Sequence, residues 1–64
     1  MTIKEIKTAV DNGKNVYWSN KGYKVTKSKN NEYLIVFTQN NNAIGLTNVA
    51  GDKLNGKEED FFTD

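Results

Sequence analysis

A chain of 64 residues with neither cysteine nor histidine is barred from several kinds of chemistry at the outset. No thiolate can act as nucleophile or metal ligand, no disulfide can brace the fold, and the usual neutral-pH base and zinc ligand is missing. The net charge of +1 conceals a division: residues 1–31 carry seven lysines against Glu5 and Asp11, a net +5, and residues 32–64 carry Lys53 and Lys57 against six carboxylates, a net −4.

Thr2-Ile3-Lys4-Glu5 has the form of a capping box, with Thr2 and Glu5 able to satisfy each other's amides. Ile3, Ile6 and Val10 recur at helical spacing with Ala9 beside them, and Asn12-Gly13 tolerates the positive φ of a C-cap. The spacing predicts an amphipathic helix over 2–12, too short to persist without a sheet beneath it. Asn15–Ser19 reads as a first strand with Val16 and Trp18 on one face and Tyr17 on the other. Asn20-Lys21-Gly22 reads as a tight turn. Tyr23–Lys27 then alternates, with Tyr23, Val25 and Lys27 on one side and Lys24 and Thr26 on the other.

Tyr33–Phe37 lies within the longest apolar run, and asparagines flank it on both sides. Such a run predicts a strand buried on both faces and central to the sheet. Ala43–Thr47 follows as a shorter strand, in which Gly45 marks a bulge or a close backbone approach. Beyond Asn48 the pattern weakens: Lys53-Leu54 suits a short strand, and Lys57–Phe62 suits a helical turn or an extended tail. Two adjacent phenylalanines are costly to leave in water, so at least one of Phe61 and Phe62 is expected to dock. The expected architecture is one α+β domain over residues 1–64: an N-terminal helix on a four-stranded antiparallel meander, with a C-terminal turn or short extra element. The helix covers one sheet face. Leu54, Phe61 and Phe62 are the candidates for covering the other, which otherwise stays open as an aromatic binding surface.

About 60% burial is all that a domain of this size achieves, so its core is small. No apolar stretch reaches the ~18 residues of a membrane helix. The N-terminus alternates apolar and charged residues, unlike a secretory leader. A cytoplasmic setting is therefore expected, with no cofactor and no metal. Glu58-Glu59-Asp60, with Asp52 and Asp64, lacks the ligand spacing of a calcium loop and reads as a solvated patch. No pair of carboxylates is marked as facing each other, and the five glycines form no phosphate cradle, so no catalytic residue is assigned.

Two surfaces remain. Tyr17, Lys24, Tyr33 and Phe37, placed on the sheet face away from the helix, form a candidate protein-binding surface. Lys21, Lys24, Lys27 and Lys29 with Tyr17 and Tyr23 form the alternative, a sequence-tolerant nucleic-acid surface that stacks bases and attracts phosphates. All nine basic residues are lysine, and missing arginine weighs against the alternative. The lysine series is read first as charge protecting an edge strand, and Trp18 and Tyr23 as core residues. A homodimer through an exposed strand edge is a third possibility.

Val16–Tyr23, Ile44-Gly45-Leu46-Thr47, Leu54-Asn55-Gly56 and Asp60-Phe61-Phe62 resemble segments of short uncharacterised proteins of bacteriophage and prophage genomes. The resemblance spans most of the chain. It implies a phage or bacterial origin and no particular chemistry. Small phage proteins often bind a host protein, sometimes one of a defence system such as CRISPR. The expected function is therefore a non-enzymatic protein-binding module acting on a host protein.

Overall fold

The computed structural model describes all residues, Met1–Asp64. Helix α1 spans Ile3–Asp11. Its capping box is formed: the Glu5 amide donates to Thr2 Oγ1 at 3.1 Å and the Thr2 amide to Glu5 Oε1 at 2.8 Å. That second bond holds the Glu5 carboxyl below its ordinary pKa. At the other end Gly13, at φ +79°, turns the chain. The Lys14 amide donates to the Ala9 carbonyl (2.9 Å) and the Gly13 amide to the Val10 carbonyl (3.0 Å), so the last carbonyls are satisfied by a Schellman motif.

Five strands follow, one more than expected: β1 Val16–Trp18, β2 Asn20–Lys27, β3 Tyr33–Phe37, β4 Asn42–Gly45 and β5 Phe61–Thr63. All neighbours are antiparallel in the order β4-β3-β2-β1-β5. The extra strand comes from the C-terminal tail. A single 3-10 turn, Glu58–Asp60, redirects the chain so that Phe61–Thr63 pairs with β1. The centre of the sheet is consequently β2, not β3, and the lysines read as edge protection lie on the innermost strand or beside it. The first hairpin also turns earlier than expected, at Ser19 (φ +66°). Asn20 then pairs with Trp18 and a register shift follows, so Asn20–Gly22 belongs to β2. Within it, Asn20 Oδ1 accepts from the Gly22 amide at 2.8 Å.

Directly opposed residues in antiparallel strands share a face. One row is therefore Val16, Val25 and Ile35, joined by Ile44 on β4. Helix α1 packs over β1 and β2 on this side. Ile6, Val16, Ile35 and Leu46 are the largest fully buried side chains, and Ala9, Val25 and Phe61 complete the core. Burial of each large member contributes about 1.5–3 kcal/mol.

Between β4 and β5 the chain must pass from one edge of the sheet to the other. It crosses on the helix side, since Leu46 is buried in the core and Leu54 packs against it. Thr47 and Leu54 form a single bridge rather than the expected strand. Asn48 rigidifies the loop between them: its Oδ1 accepts from the amides of Gly51, Asp52 and Lys53, and its Nδ2 donates to Asp52. Gly56 then lies flat on the Trp18 indole, where a Cβ would sit 2.5 Å from Nε1. The Trp18 N–H is buried there without a hydrogen-bond partner. No helix is long and apolar enough to cross a membrane.

Candidate functional site: the open sheet face

Helix, crossing segment and Phe61 all lie on one side, which leaves the other side of the sheet without a covering element. The residues in register there are Phe62, Tyr17, Lys24, Val36 and Ala43, one from each strand in spatial order. A second row holds Thr26, Leu34 and Gly45. None of these residues is buried. The expectation that Tyr33–Phe37 is sandwiched on both faces is thus corrected: Ile35 is buried, while Leu34 and Val36 stay half-exposed.

The face has an aromatic end and an aliphatic end. Tyr17 and Phe62 pack with ring centroids 5.6 Å apart. Tyr17 is further held by Asp64, whose carboxylate accepts from Asn15 Nδ2 at 3.2 Å and from the Tyr17 hydroxyl at 3.4 Å. Lys21 pairs with the same carboxylate at 3.4 Å and sits 5.8 Å from the Tyr17 ring. The Asn15 hydrogen bond, with help from Lys21 and Tyr17, keeps the Asp64 carboxyl below its ordinary pKa. Val36, Leu34 and Ala43 form the aliphatic end. Between the two ends stands Lys24, half-buried and in neither of the two ion pairs of the molecule.

Of the four residues expected to form the protein-binding surface, the fold brings together only Tyr17 and Lys24. Tyr33 and Phe37 lie on the helix side, in register with Lys27 and Tyr23. The Tyr33 hydroxyl donates to Asp11 at 2.8 Å, and the ring lies 5.2 Å from the Lys7 ammonium and 5.4 Å from that of Lys27. The Asp11 hydrogen bond raises the Tyr33 pKa, and attraction to Asp11, 3.5 Å away, raises that of Lys27. Phe37 stacks on Tyr23 at 4.8 Å, and Tyr23 meets Trp18 edge-on at 5.1 Å. Trp18 and Tyr23 pack against the core, in line with the reading of them as core residues. Leu34, Val36 and Ala43 are apolar members of the open face that sequence reasoning did not assign to it; of the three residues expected to cover that face, Phe62 lies at its edge, while Leu54 and Phe61 pack on the helix side. In β3 both alternating sets are apolar, so alternation could not say which set the helix takes.

The nucleic-acid set is likewise dispersed. Lys24 is on the open face, Lys27 reaches toward α1, Lys21 is tied to Asp64 and Lys29 lies in the β2–β3 turn. Tyr23 is on the opposite face from Tyr17. The largest concavity, about 590 Å³ at the ends of β3 and β4, is lined by a single carboxylate, Glu32, and a single ammonium, Lys7. No family model, curated protein or solved structure matches the chain.

Proposed function

We propose that the chain is a small, non-enzymatic, cytoplasmic protein-binding module that engages its partner through the open sheet face. One observation carries this reading: a five-strand row, Phe62-Tyr17-Lys24-Val36-Ala43, lacks any covering element in a domain with very little apolar surface to spare. A half-exposed apolar face with one unpaired cation at its centre has the make-up of an interface core with a single charged anchor. Lys24 calls for a carboxylate on the partner, set among apolar side chains. A second copy stacked on the same face would bring the two Lys24 ammoniums close together, so the occupant is a different protein. The resemblance to phage and prophage proteins makes a bacterial host protein the natural choice.

The test is site-specific photo-crosslinking in bacterial cells from Val36 and, as a control, from Lys14 on the far side of the molecule. One defined adduct from Val36 alone is expected, and the purified partner should bind Lys24→Glu at least about tenfold more weakly. Equal capture from both positions, or affinity unchanged by Lys24→Glu, overturns the reading. The dispersal of Lys21, Lys24, Lys27 and Lys29 over different parts of the molecule weighs against the nucleic-acid alternative. A low-salt titration with single-stranded oligonucleotide is expected to be flat.

A further inference from the structure

The sheet has two edges, and they differ in how they meet solvent. At β5 the Ser19 amide donates to the Asp60 carbonyl at 2.8 Å. Antiparallel alternation then turns the backbone groups of Phe61 and Thr63 outward. Those outward residues are bracketed by Glu58, Glu59 and Asp60 on one side and Asp64 on the other. A second β5 laid alongside would bring these carboxylates together, and charge of this kind is how natural edges resist pairing.

At β4 the Leu46 amide donates to the Tyr33 carbonyl at 2.9 Å, so alternation turns Ala43 and Gly45 outward. No residue from Tyr33 to Gly51 is charged. Proline is absent from the whole chain, and Ile44 stands 52% exposed beside a cleft of about 210 Å³ lined by Tyr23, Ile35, Phe37 and Asn42. One guard is present at the far end: Asn55 Nδ2 donates to the Gly45 carbonyl at 2.9 Å and to the Thr47 carbonyl at 3.0 Å. It leaves free the N–H and C=O of Ala43 and the N–H of Gly45.

We infer that the β4 edge pairs with β4 of a second copy about a two-fold axis at Ala43, continuing the two sheets into one. Ala43 meets its own counterpart and the two exchange reciprocal N–H to C=O bonds. Its methyl group permits close approach, and Ile44 is covered by the neighbouring strand. The second copy is the occupant because the axis sets Ala43 against itself, Ile44 against Asn42 and Gly45 against Asn41, all uncharged, so the edge can meet its own copy without repulsion. The contact is small, so the dimer is weak and dissociates on dilution. This inference does not depend on the open face binding a partner.

Sedimentation equilibrium over a concentration series tests it, together with hydrogen exchange of the Ala43 and Gly45 amides. The mass is expected to rise from one chain toward two, with both amides slowing in step. Ala43→Lys places like charges at the axis on an exposed position and should weaken the dimer by about tenfold or more. Ala43→Pro removes an outward N–H that β3 does not use, and should do the same. Thr63→Lys on the other edge, and Lys24→Glu on the open face, should change nothing. A single chain at every concentration, a dimer indifferent to both Ala43 variants while their circular dichroism is native, or a mass climbing past two chains overturns the pairing.

Discussion

Two neighbouring rows of this sheet differ by one residue on each strand. Val16, Val25 and Ile35 face the helix and are almost fully buried; Tyr17, Lys24 and Val36 face away and stay half-exposed. Both rows contain β-branched or aromatic residues of good strand propensity, so composition alone does not separate them. The difference lies in supply. A 64-residue chain provides one short helix and one crossing segment, and the fold commits both to the same side. With Phe61 and Leu54 also drawn to that side, nothing remains for the other.

The comparison is broken most directly by truncating one member of each row. Ile35→Ala should lower stability by about 2–5 kcal/mol, as large-to-small changes in packed cores do. Val36→Ala should cost less, about 1 kcal/mol, because its side chain is only partly buried and no element packs over it. Urea unfolding of both variants measures this, and equal losses would mean that the open face is not open. The crossing segment comes next. Gly56→Ala drives a Cβ into an indole held between Tyr23 and Phe61, and a destabilisation of about 1–3 kcal/mol is expected in thermal unfolding. Thr2→Ala removes one half of the capping box and should cost about 1 kcal/mol by the same method.

Smallest are the effects of pH, which sharpen the comparison by titrating its flanks. Glu5 and Asp64 have lowered pKa values, so the stability they contribute is present above the ordinary carboxylate range and is lost as pH falls below it through those lowered values. Tyr33 and Lys27 have raised values, so their contribution is present below the ordinary tyrosine and lysine ranges. It is lost as pH rises through those raised values. Chemical denaturation across the alkaline range should show that loss, and Tyr33→Phe should remove the tyrosine part of it.

Local signals in the sequence carried a good deal of this fold. The capping box at Thr2 and Glu5, the Asn12-Gly13 helix end and the alternation of Tyr23–Lys27 each stand where their chemistry put them. The close approach expected at Gly45 is also present, as a Cβ there would lie 3.2 Å from the Thr47 carbonyl oxygen. What could not be read was long-range. Phe61–Thr63 is three residues long and becomes a strand only because β1 offers it an edge. That pairing in turn moved β3 off the centre of the sheet. The candidate surface divided for a related reason: Tyr33–Phe37 is apolar at every position, so its facing was set by where the helix lands.

Trp18 is the only tryptophan in the chain, and its ring N–H is closed off beneath Gly56 with no acceptor. The native protein therefore carries its own optical probe at a single known spot. Its emission should be blue-shifted while the crossing segment is seated, and should move to the red once water reaches that nitrogen. Seating and release of this one segment can thus be followed in the unlabelled protein, apart from global unfolding seen by circular dichroism.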